Sequence, residues 1–183
     1  HRWTSYLNTF CRLSAHDVRS CIIDVATYFL EVEGFKLDAN VSDNVPFKEN
    51  LIAMLVCINT LTPLIIVGAP GASKTLASQV LLKYLQEKAD FFNGRGRTEF
   101  TLTDKPLDVR FFAGTELTTP EEIKQVFEKA KILSDEVSGL VFIDELGLAE
   151  ISERNPLKVL HPYLEEKSRQ YGFIGISNWV LDL

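Results

Sequence analysis

Four short apolar runs, separated by stretches with helical periodicity, restrict this chain more than any other feature. Leu64–Val67, Asp108–Ala113, Leu140–Ile143 and Tyr171–Ser177 are short and rich in β-branched or aromatic side chains, which suits buried strands. Between the first two, Leu76, Val80, Leu81 and Leu85 fall on one side of a helix over Lys74–Glu87. Residues 89–106 are polar, contain Gly94 and Gly96, and read as a loop. Thr119-Pro120-Glu121-Glu122 opens the next helix, with Thr as cap, Pro in the first turn and Glu at the third position. Ile123, Val126, Phe127 and Ala130 form its apolar face. Asn155-Pro156 opens a further helix that Pro162 kinks or ends. Strand and helix in alternation specify a parallel sheet with helices on both faces, and such sheets take ligands at the carboxyl ends of their strands. The residues that follow each strand are therefore the candidates for chemistry.

The chain before this core reads as an arm. Ser14 with Asp17 resembles a capping box, and Val18, Cys21, Ile22, Val25 and Phe29 share a helical face over residues 14–32. Residues 33–46, with Gly34, Asp38, Asn40, Asp43, Asn44 and Pro46, read as a connector, and a second helix runs from about Phe47 to Asn59. The apolar stretch from Leu51 to Pro70 is interrupted by Asn59, Thr60, Thr62 and Pro63, so it reads as helix, turn and strand rather than a membrane span. A net charge of −6 with no basic block argues against a dedicated nucleic-acid binder. Cys11, Cys21 and Cys57 are odd in number and form no C-x-x-C pair, which favours a reducing compartment and argues against a zinc site. No signal peptide is visible. His1 at the start and Leu183 at the end suggest a piece of something longer.

Gly68-Ala69-Pro70-Gly71-Ala72-Ser73-Lys74-Thr75 follows the first strand and has the spacing of the phosphate loop G-x-x-x-x-G-K-[ST]. In that motif backbone N–H groups wrap phosphate, the Lys neutralises the β and γ phosphates, and the Thr hydroxyl reaches Mg²⁺. Ser73 stands where the pattern has glycine, which adds a Cβ at a tight turn. Taken alone, the segment also reads as a glycine-rich turn with a chance Lys-Thr. The third strand ends in Asp144-Glu145, about 70 residues later. An acid there can hold Mg²⁺ through water, and the next can orient an attacking water; the plainer reading is two solvated acids. The fourth strand ends in Ser177-Asn178, where an Asn can bond that water or a γ-phosphate, or simply close a turn.

In this order the three strand ends resemble the AAA+ ATPases. The phosphate loop with Ser for Gly, Asp144-Glu-Leu-Gly-Leu-Ala-Glu150, Pro156-Leu-Lys-Val-Leu-His-Pro162 and Gly172-Phe-Ile-Gly-Ile-Ser-Asn-Trp179 resemble more narrowly the mysterin-like family of AAA+ ubiquitin ligases. Glu49-Asn50 leading into Leu55-Val56-Cys57-Ile58 does so too, and the resemblance spans roughly residues 47–182. It implies an α/β fold, the P-loop NTPase three-layer sandwich with a parallel sheet, over residues 47–183 after a helical arm and connector at 1–46. The phosphate-loop strand would lie between the fourth strand and a fifth that the chain lacks, together with the lid and arginine finger. The resemblance implies ATP and Mg²⁺ as cofactors. Gly68, Ala69, Pro70, Gly71, Ala72, Ser73, Lys74, Thr75 and Leu76 would contact nucleotide, Thr75 and Asp144 would hold the metal, and Glu145, Lys74 and Asn178 would be catalytic. The implied reaction is ATP hydrolysis in the cytoplasm, with neighbouring AAA+ modules as partners and ubiquitin machinery elsewhere in the polypeptide. The alternatives are a module that binds ATP without turnover and, further off, a signalling NTPase switch. Nothing among the 183 residues carries ligase chemistry. Of the remaining polar or aromatic residues, His161 reads as a helix-end histidine, Arg154 as a solvated surface arginine and Trp179 as packing.

Overall fold

A computed structural model describes residues 14–32, 44–92, 107–132, 137–166 and 169–179. The 33–43 part of the connector and the Gly94/Gly96 loop lie outside the described residues. Helix α1 (Ala15–Val32) and helix α2 (Val45–Thr60) precede strand β1 (Leu64–Val67) and helix α3 (Lys74–Phe92). Strand β2 (Leu107–Ala113), helix α4 (Pro120–Lys131), strand β3 (Ser138–Asp144) and the short helix α5 (Leu146–Glu150) follow. A 3₁₀ turn (Pro156–Val159), helix α6 (Leu160–Glu165) and strand β4 (Tyr171–Ser177) complete the order.

The sheet order is β1-β4-β3-β2 and every pairing is parallel. The sheet separates two apolar layers. On one face Leu140, Phe142, Ile174 and Ile176 pack with Phe47, Leu51, Met54 and Ile58 of α2 and with Ala77, Leu81 and Leu85 of α3. On the other, Val141, Ile143, Tyr171 and Phe173 pack with Ile123 and Phe127 of α4 and with Leu157, Leu160 and Tyr163. Alternation along β3 and β4 sends successive side chains to opposite layers, and both strands are covered on each side. This is the α/β layout expected from the alternating runs. At the amino end of β4, Phe127 stacks on Tyr163 at 4.5 Å, Tyr163 donates to Glu128 at 2.8 Å, and Tyr171 donates to the Tyr163 carbonyl at 3.0 Å. That end of the sheet is closed by packing, and the opposite end is left for a site.

Local chemistry explains most helix starts. Ser14 Oγ accepts from the Asp17 N–H while Asp17 accepts from Ser14, the reciprocal cap expected there. Thr119 and Glu122 form the same box at α4. Asn44 accepts from the Phe47 N–H at 2.9 Å, so α2 begins at Val45, two residues earlier than expected, with Pro46 in its first turn.

Several expectations are corrected. Cys21 and Val25 are exposed, not part of the buried face of α1; the face that meets α2 is centred on Ala26 and Leu30, with Val18 and Ile22 half-buried. A docked helix buries whichever arc its neighbour offers, here Ala26 and Leu30 rather than the whole apolar set. The side chain of Phe29 lies outside the described residues. Helix α3 continues through Phe92, beyond the loop expected from residue 89. Pro162 sits in the first turn of α6, where it needs no intrahelical donor, so it neither kinks nor ends the helix. The expected helix at Asn155-Pro156 starts instead as a 3₁₀ turn. Helix α5 was not foreseen, because its five residues are too few to show a period.

Candidate functional site

Strand register assembles the carboxyl end of the sheet. Val67 pairs with Ser177, and Ala113 with Asp144, so the parallel strands finish nearly level. The ladder extends one residue further on both sides: the Gly68 N–H donates to the Ser177 carbonyl at 3.3 Å, and the Gly114 N–H to the Asp144 carbonyl at 2.8 Å. Level strand ends bring Gly68, Asn178 and Glu145 onto one rim although they are remote in sequence.

A cavity of about 360 Å³ opens there, lined by Pro70, Gly71, Ala72, Ser73, Lys74, Thr75, Leu76, Glu145 and Asn178. The loop turns through two left-handed residues, Gly71 at φ +84° and Ser73 at φ +58°. The first uses glycine's freedom; the second explains why the motif has glycine at the position of Ser73, since an L side chain there carries a steric cost. Ser73 Oγ lies 3.3 Å from both amide atoms of Asn44, and Asn50 Nδ2 donates to the Ala72 carbonyl at 3.0 Å. Lys74 is 4% exposed, and among the described residues its ammonium donates to the carbonyls of Gly68 and, at 2.9 Å, Ala69. A buried cation held by neutral carbonyls at a helix start is matched to an anion. Gly68 and Ala69 thus hold Lys74 and do not line the cavity.

Glu145 adopts a left-handed backbone, φ +53°, directly after β3. Its Oε2 accepts from Asn178 Nδ2 at 3.1 Å. Its N–H donates to Asp144 Oδ1 at 2.9 Å, and Asp144 itself does not line the cavity. Gly114 backs this turn. A Cβ on it would stand 2.5 Å from the Glu145 carbonyl oxygen, so a side chain there would displace the backbone that carries the acid. The expected site residues from Pro70 to Leu76, Glu145 and Asn178 therefore share one cavity. Gly68, Ala69 and Asp144 support it from behind. Asn44, Asn50 and Gly114 were missed: Asn44 was legible as a cap before Val45-Pro46, but the contacts of Asn50 and Gly114 exist only in the fold.

Arg154 is exposed, as read, and His161 is an exposed residue in the first turn of α6. Trp179 is 39% exposed; its ring packs against Gly147 of α5, where a Cβ would stand 2.5 Å from Cε2, and its Nε1 donates to Glu150 at 3.2 Å. Among the described residues there is no cluster suited to a structural metal and no helix long and apolar enough to cross a membrane.

Residues 40–183 match the family described as the RNF213 AAA domain. The chain is 35% identical to the E3 ubiquitin-protein ligase RNF213 of Mus musculus over 94% of its own length and 4% of that protein. It is 35% identical to RNF213 of Homo sapiens over 84% of the chain and 3% of that protein. It is 37% identical to the E3 ubiquitin-protein ligase rnf213-beta of Danio rerio over 78% of the chain and 3% of that protein. The chain thus spans only a few per cent of the length of these relatives.

Proposed function

The chain belongs to the RNF213 AAA domain family, and from that premise we propose that it binds ATP with Mg²⁺ and hydrolyses it. The observation that carries the reading is the convergence of Glu145 and Asn178, 3.1 Å apart, on the cavity walled by Pro70–Leu76. A binding turn alone needs no acid there; an acid held by an amide at the open end of a phosphate loop suits a water. Lys74 exchanges its carbonyl partners for phosphate oxygens. Asn178 holds one oxygen of Glu145, which leaves the other to orient and polarise water for attack on the γ-phosphate. The Thr75 hydroxyl, on the cavity wall, and the Asp144 carboxylate, next in sequence to the cavity-lining Glu145, are oxygen donors of the kind a hard divalent cation takes. Bound Mg²⁺ would neutralise charge on the phosphates.

A module that binds ATP without turnover is the second reading, favoured by Ser73 in its strained conformation and by Lys74 held in its own loop. Glu145→Gln separates the two in a longer polypeptide that carries this segment, its lid and its neighbour. Hydrolysis predicts retained ATP binding with turnover lowered roughly 10²-fold or more. Wild-type protein that binds ATP without turnover selects the second reading, and equal turnover in both forms refutes the role of Glu145. By family, the partners proposed are neighbouring AAA+ modules and, elsewhere in the polypeptide, ubiquitin-transfer machinery. A cytoplasmic setting agrees with Cys21 and Cys57, both free thiols.

A further inference from the structure

The phosphate loop is not held by its own strand and helix alone. Two side chains of another element reach it at the position where the motif is irregular. Asn44, the cap of α2, meets the Ser73 hydroxyl at 3.3 Å, and Asn50, in the second turn of α2, donates to the Ala72 carbonyl at 3.0 Å. The Asn50 atom facing that carbonyl must be its nitrogen, because a carbonyl oxygen only accepts. A trans peptide directs its C=O and N–H to opposite sides. With the Ala72 carbonyl drawn toward α2, the N–H of the same peptide, that of Ser73, is turned away from α2. Ser73 lines the cavity. One amide bond from Asn50 therefore sets the direction of a backbone donor in the loop.

We propose that Asn50, assisted by Asn44, is a positioning residue for phosphate binding: it orients the Ala72–Ser73 peptide so that the Ser73 N–H addresses the phosphate chain of a nucleoside triphosphate. The proposal rests on the ATP-binding reading above. Glycine at position 73 would allow the loop to settle without help. Serine in the left-handed region does not, and two amides from α2 hold the peptide that an unconstrained serine would tend to turn. The adjacent Glu49 pairs with Arg19 of α1, with Arg19 Nη2 donating at 3.1 Å, so the segment carrying Asn50 is itself braced from the arm.

The test uses Asn50→Ala, Asn50→Asp and Asn50→Gln in the 183-residue chain. Affinity is measured with a fluorescent ATP analogue and Mg²⁺, alongside thermal midpoints and the chemical shift of the Ser73 amide without nucleotide. Asp keeps the shape but offers no donor; Gln keeps the donor on a longer stem. Loss of one positioned hydrogen bond weakens binding by about tenfold in Ala and Asp, while Gln stays within about threefold of wild type. Binding unchanged in Ala and Asp, or Gln as weak as Ala, overturns the proposal, because a merely structural amide would follow the thermal midpoint instead. If wild type itself binds no nucleotide, the ATP reading fails. The Ser73 amide shift then decides separately: a shift displaced in Ala and Asp but kept in Gln upholds the positioning role, and an unchanged shift in all three refutes it.

Discussion

Ser73 offers a test in which strain and hydrogen bonding pull in opposite directions. Its φ of +58° costs an L residue about 1–2 kcal/mol relative to glycine. Its hydroxyl gains about 0.5–1.5 kcal/mol from Asn44. Ser73→Ala keeps the Cβ, and so the strain, and loses the bond; it is expected to destabilise the chain by about 1 kcal/mol. Ser73→Gly loses the same bond but relieves the strain, less about 0.4–1 kcal/mol for the greater freedom of the unfolded chain. These contributions nearly cancel, so glycine should match serine to within about 1 kcal/mol. In a chain of this length the deficit in alanine is a fall of about 2–4 °C in thermal midpoint, with glycine near wild type. Circular dichroism melts of the three proteins measure this directly. Alanine as stable as serine, or more stable than glycine, would show that Ser73 is neither strained nor bonded as described. The same series read by ATP-analogue binding separates the glycine of the common motif from the α2-braced serine found here.

The remaining predictions concern charge, pH and the sheet edge. Lys74→Ala removes the buried ammonium and is expected to abolish measurable ATP-analogue binding in a titration that saturates wild type; equal affinity would end the phosphate-loop reading. Burial pushes the Cys57 thiol up from 9.0 to about 11. The unfolded thiol ionises first, so the native state loses stability as pH rises from about 9 to about 11. Melts across that window should fall more steeply in wild type than in Cys57→Ser, and parallel slopes would refute it. Among the described residues β1 pairs only with β4, and Val67 is 43% exposed. An apolar edge of Leu64-Ile65-Ile66-Val67 invites pairing with another copy. Light scattering is expected to show self-association of the chain that Val67→Lys reduces; a monomer at all concentrations would contradict it.

Local pattern was enough for the elements whose chemistry is local. The four strands, the reciprocal caps at Ser14 and Thr119, and the loop-to-helix step at Lys74 all follow from neighbouring residues, because capping, periodicity and turn geometry act over a few positions. The candidate rim was legible for the same reason: parallel strands end at one side, so Gly68, Glu145 and Asn178 could be grouped from their places after strands. What the sequence could not supply was whatever depends on which surface meets which. The arc of α1 that is buried was set by the face of α2, and Cys21 and Val25 were left in solvent. The five-residue α5 exists because the Glu145 turn and Trp179 hold it, with no period of its own. The bond from Asn50 to Ala72 spans 22 residues, and the one from Asn178 to Glu145 spans 33. Side chains that far apart meet only after the sheet has chosen its order and register. The sequence alone therefore determined which residues stand at the carboxyl ends of the strands. The tertiary structure decided how the irregular loop at Ser73 is held, since helix and sheet packing brings Asn44 and Asn50 to it.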